Sequence, residues 1–139
     1  MDDEFEHFLR AQEPVYIQVI SELSHGQKRT HWMWFIFPQL RGLGRSEMAE
    51  RFAIKSLEQA KRYASHAQLG HRLRQCTQLV IQILNRDISE VFGYPDDLKF
   101  HSSMTLFAVA VPEDPIFEAA LIKYFGGVRD AKTVELLGA

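Results

Sequence analysis

Two short stretches concentrate the side chains able to hold or polarise a substrate. In "RGLGRSEMAERFA", Gly42 and Gly44 permit tight turns, and Ser46 can cap a helix that begins at Glu47. Free N–H groups at such a helix start, with the guanidinium groups of Arg41 and Arg45, suit a phosphate or a carboxylate. The pattern is neither a Walker loop nor a dinucleotide fingerprint, because no lysine follows the second glycine and no clear strand precedes the first. Glu47 occupies the same helix start, so a glycine-punctuated loop with solvated arginines is the competing reading. In "DDLKFHSSMTLF", helical spacing puts Lys99, Ser102 and Ser103 on one face and His101 four residues from Thr105. A cation, hydroxyls and an imidazole so close together fit a polar pocket. Serines bonded back to helical carbonyls, with His101 at the surface, fit the same residues.

A third stretch, "KRTHWMWFIFPQL", carries Lys28, Arg29 and His31 into an aromatic run. Met33, Phe35, Ile36 and Phe37 are expected to feed a core, while one of Trp32 and Trp34, with the flanking polar groups, borders a cleft. If the three stretches converge, His31, Trp32, Trp34, Arg41, Arg45, Ser46, Lys99, Ser102 and Ser103 form one ligand site. Within it, His31 or His101 could serve as a general base towards water or Ser103, with Lys99 or Arg41 steadying negative charge. No carboxylate partner for either histidine can be named from the sequence, so a catalytic triad is unsupported. The six histidines show no HExxH spacing and Cys76 is the only cysteine, so neither a metal nor another cofactor is expected. Cys76 itself falls on an apolar helical stripe, where a cysteine behaves as a small hydrophobe.

The elements that must position these residues are read from periodicity and caps. Apolar residues recur at helical spacing from Phe5 to Leu9 and from Tyr16 to Leu23, the second run bounded by Pro14 and Gly26. Ser56 with Gln59 and Asp87 with Glu90 stand in capping-box register. Leu69, Leu73, Cys76, Val80, Ile83 and Leu84 line the longest predicted helix. Asp96 or Asp97 can cap the helix "LKFHSSMTLFAVAV", although its β-branched and aromatic content would also tolerate a strand. Asp114, Pro115 and the pair Gly126 and Gly127 frame a further helix, and a last one runs over 130–137. The expectation is an all-α, compact, irregular single-domain bundle over 1–139, with about eight short helices.

Bulk properties narrow the function classes. Hydrophobic residues make up 46% and charged residues 24%, a composition that folds. A formal charge of −2 offers no global field for nucleic acid, and the basic pairs Lys28 with Arg29, Lys61 with Arg62 and Arg72 with Arg74 are scattered, so nucleic acid is not an expected partner. The apolar runs "WMWFIF" and "LFAVAV" are six residues each, against roughly 20 for a bilayer span. With one cysteine and a start that lacks a secretory pattern, a cytoplasmic protein without a membrane anchor is expected.

The segments "HWMWFIFPQLRGLGRS", "SHAQLGHRLRQC", "VFGYPDDLKFHSSMTLFA" and "KYFGG", in that order, resemble the bacterial family called domain of unknown function 1810. The resemblance covers essentially the whole chain and implies a small, mostly helical fold; it brings no activity, substrate or catalytic residue. Members of such families are sometimes labelled calpastatin, but calpastatin-type inhibitors are flexible polar chains, unlike this apolar one. Two functional expectations follow: binding of a small anionic ligand, with or without turnover, or a non-catalytic protein-interaction module built on Trp32 and Trp34.

Overall fold

The computed structural model describes residues 3–138. A 3-10 turn (Asp3–Phe5) leads into α1 (Glu6–Gln12), followed by α2 (Tyr16–Ser24), the one-turn α3 (Met33–Ile36) and α4 (Glu47–Arg51). Then come α5 (Leu57–Ser65), α6 (Ala67–Ile81), α7 (Ile88–Phe92), α8 (Asp96–Ala110), α9 (Pro115–Phe125) and α10 (Ala131–Leu137). Ten helices thus occupy the described residues in place of about eight. One of the short ones is α3, folded from the aromatic stretch itself.

The polar residues between the apolar runs fix most boundaries. Ser46, Ser56, Asp114 and Asp130 each accept a hydrogen bond from a backbone N–H in the first turn of the helix they precede, and Asp87 with Glu90 completes a capping box. Pro115 takes the first helical position of α9, and Gly126 ends that helix in the left-handed conformation. Two expectations change. The 96–110 segment is helical throughout; Asp96 and Asp97 lie in its first turn, behind Pro95 as the N-cap. Leu84 lies beyond the end of α6, which stops at Ile81, and is 78% exposed.

Helix α8 is the axis of the molecule. Phe100, Met104, Leu106, Phe107, Ala108 and Ala110 are all buried on it, because α3, α5, α7, α9 and α10 pack around it. A helix enclosed on most sides has no need of an amphipathic pattern, which accounts for the strand-like composition of the segment. Helix α6 packs against α2, α5 and α9 and buries Leu69, Leu73, Cys76 and Val80. The core is aromatic: Phe37, Phe92 and Phe100 meet with centroids 5.0–5.9 Å apart, and Phe5, Phe8 and Tyr63 make edge contacts. Among the described residues the β pairing is one parallel bridge, Leu40 to Ile54, which ties the segment after α3 to the entry of α5.

Candidate functional site

The site is organised by a carboxylate that sits on an apolar helix face. On α2, Glu22 falls between the buried Val19 and Leu23 and is itself 3% exposed. Its Oε1 accepts hydrogen bonds from Arg29 N–H (2.7 Å), Thr30 N–H (3.1 Å) and the Trp32 indole N–H (2.9 Å). Its Oε2 accepts from the Thr30 hydroxyl (2.7 Å) and the Gln18 amide (2.9 Å). Burial alone would raise the carboxyl pKa, but these hydrogen bonds outweigh it and hold the group at about 2. Glu22 therefore remains ionised and fixes the 29–32 segment by its main chain.

From this anchor a chain of charges runs to α8. The Lys28 ammonium lies 5.1 Å from the Trp32 ring centroid and 2.8 Å from Asp96 Oδ2. Lys99, one helical turn on, approaches the other oxygen of Asp96 at 3.4 Å and lies 5.2 Å from the Trp34 ring centroid. One carboxylate thus serves two ammonium groups, each resting on an indole. Trp32 is sealed, 1% exposed, with its N–H satisfied; Trp34 is only half-buried beneath Lys99. Of the two indoles, only Trp34 stands near solvent.

Beside Lys99 a cleft of about 250 Å³ opens, lined by Gln39, Leu43, Gly44, Pro95, Leu98, Lys99, Ser102, Asp130 and Lys132. The Gln39 amide donates to Ser102 Oγ at 2.7 Å, and that hydroxyl faces the carbonyls of Leu98 and Lys99 at 3.2 and 3.1 Å. Gly44 is required here by close packing, since a Cβ would stand 2.6 Å from that of Ala49. Asp130 Oδ2 is engaged by Thr133 N–H (3.1 Å) and the Thr133 hydroxyl (2.6 Å), so its carboxylate caps α10. Lys132 is exposed and has no ion-pair partner among the described residues.

The expected nine-residue site is therefore only partly gathered. Lys99 and Ser102 meet the turn after Gly42, with Trp34 behind Lys99. Ser103 is fully buried and its Oγ has no hydrogen-bond partner among the described residues, so it faces the core and not the cleft. His31 and Arg45 are exposed and make no hydrogen bond or ion pair with described residues. Ser46 does cap α4, but that helix has five residues with Glu47 and Glu50 in its first turn, which leaves little dipole for an external anion. His101 is occupied structurally: its ring stacks on Phe125 (centroids 3.9 Å, interplanar 6°), and Nε2 donates to the Val128 carbonyl at 2.7 Å. Arg41 lies in a separate cleft of about 390 Å³ with Leu40, Lys55, Ser56, Leu57, Glu58, Leu136 and Leu137.

The family model described as "Protein of unknown function (DUF1810)" matches residues 2–137. The chain belongs to this family. A solved structure of the conserved hypothetical protein Rv1873 from Mycobacterium tuberculosis is 54% identical, covers 98% of this chain and 97% of its own, and superposes with a TM-score of 0.96. No curated protein matches the chain. In this DUF1810 chain, no described helix is long and apolar enough to cross a membrane, and the described residues contain no group of three or more His, Cys, Asp or Glu placed to hold a metal. Of the residues that line the cleft, Gln39 and Lys132 carry no sequence pattern that marks them. Glu22 does: an acidic residue on the buried stripe of an amphipathic helix needs donors, and they lie within ten positions of it.

Proposed function

We propose that the protein binds a small anionic ligand in the cleft between α8, the turn at 43–44 and the start of α10. The observation that supports this reading is a charge imbalance: Lys99 shares its carboxylate, Asp96, with Lys28, and Lys132 stands at the same cleft unpaired among the described residues. Gln39 and Ser102 supply polar contacts at the base, while Leu43, Pro95 and Leu98 form an apolar wall. Such a lining suits a carboxylate or phosphate carried on a compact body, with ammonium groups at the charged end. Turnover is not required by this reading.

Thermal-shift and calorimetric screening of carboxylates, sugar phosphates and nucleotides tests it. A ligand selective for the native state at a hundred times its Kd adds about 2.7 kcal/mol of stability. The gain should fall sharply in Lys99→Gln and Lys132→Gln. Absence of any response in the wild type, or an undiminished response in the double variant, overturns the proposal. A protein-interaction surface is the second reading, favoured by the exposed Tyr94 (82%) and Leu98 (52%) and the half-buried Trp34, with Trp32 acting only as buried support. Loss of a partner contact in Tyr94→Ser, outside the cleft lining, while the anion response persists, would separate it from the first.

A further inference from the structure

The parallel bridge between Leu40 and Ile54 sets the register of the residues that follow. Ile54 N–H donates to Gln39 O at 2.8 Å and Arg41 N–H to Ile54 O at 2.7 Å, which places the buried Leu40 and Ile54 side chains opposite each other. Arg41 and Lys55 follow the two bridged residues, and both are exposed and line the cleft of about 390 Å³. Neither side chain has an ion-pair partner among the described residues. Glu58, which also lines the cleft, lies beyond ion-pair distance of both and acts on Arg62.

Lys55 acts on the ionisable groups around it, adding to the larger effect of Arg62 in lowering the pKa of the Glu4 carboxyl. Burial holds the pKa of His7 below its usual value, and the charges of Arg51 and Lys55 push it lower still. The far wall is apolar, from Leu57, Leu136 and Leu137. It is held close by Gly42, at φ +103°, whose backbone would bring a Cβ to 3.4 Å from Leu136. Two cations at one cleft, neither in an ion pair among the described residues and with an apolar wall beside them, form half of a complementary pair.

We infer that the Arg41 and Lys55 cleft binds a phosphate monoester, the dianionic phosphate bridging the guanidinium and the ammonium and the organic group lying on Leu57, Leu136 and Leu137. The planar guanidinium donates two parallel hydrogen bonds to phosphate oxygens, and the ammonium supplies the second charge. This site is independent of the Lys99 cleft.

The test is a backbone-amide NMR titration of the full chain with phenyl phosphate, inorganic phosphate and phenyl sulfate. Phenyl phosphate should shift the amides of 41, 55–57 and 136–137; inorganic phosphate, without an apolar group, and the monoanionic sulfate should bind more weakly. Arg41→Gln and Lys55→Gln should each weaken phenyl phosphate at least about tenfold. Lys99→Gln should leave it unchanged, which distinguishes failure here from failure of the Lys99 site. Without ligand, both variants should be about as stable as the wild type, because neither side chain has an ion pair to lose among the described residues. Absent shifts, binding that survives the double variant, or a loss of unliganded stability in the single variants would each overturn the inference.

Discussion

Replacing Glu22 by glutamine tests the reasoning about the site's anchor. The carboxyl is held at about 2 against an ordinary value of 4.5, and that depression corresponds to roughly 3 kcal/mol of native stability near neutral pH. A carboxyl whose pKa is lowered by folding contributes its full stabilisation above the unfolded value and loses it as pH falls through the folded one. The window is therefore from about 4.5 down to about 2. Glutamine keeps the shape but offers one acceptor oxygen where five donors converge, so Glu22→Gln should cost about 3 kcal/mol at pH 7. The difference between wild type and variant should shrink by about 2 kcal/mol between pH 7 and pH 3, because the other carboxylates cancel in the comparison. Urea unfolding followed by far-UV circular dichroism at several pH values measures this without relying on Trp32, whose indole touches the substituted group. A pH-independent difference, or one below about 1 kcal/mol at pH 7, would refute the assignment.

Two further predictions concern buried groups outside the clefts. Ser103→Ala should be neutral or stabilising by up to about 1 kcal/mol, since the buried hydroxyl has no partner among the described residues; a marked fall in the urea midpoint would show that the oxygen is used. Cys76, pushed up to about 12 by burial against the bonding of Tyr16 and the nearby Arg72, should resist a thiol reagent at pH 8 in the native protein and react on denaturation. Rapid native labelling would contradict that.

The sequence carries the local instructions plainly. Ser56, Asp87, Asp114, Pro115 and Asp130 can be read as helix starts because a cap acts within three or four residues of its own position. For the same reason Ser46 was legible as a cap, whereas the length of the helix it begins was not. Helix α8 was ambiguous because enclosure by five neighbours erases the periodicity on which a helix is usually recognised. Burial on all sides also separates Ser102 from Ser103: adjacent positions lie about 100° apart, so one reaches Gln39 and the other the core. The division of the basic loop between two clefts was hidden for a different reason. It depends on α10, distant in sequence, which gives Lys132 to one cleft and Leu136 to the other. The role of Asp96 was similarly obscured, since an aspartate in a helix's first turn has a sufficient local explanation and gives no sign of the lysine 68 positions earlier in the chain that it also meets.

The division of Asp96 between two lysines has an optical consequence. Each ammonium lies over a different indole, one enclosed and one near solvent. Any molecule that draws Lys99 aside alters the electric field at Trp34 while leaving its enclosed counterpart comparatively undisturbed. The chain thus contains its own pair of chromophores, one to register occupancy and the other to serve as an internal standard, with no label attached.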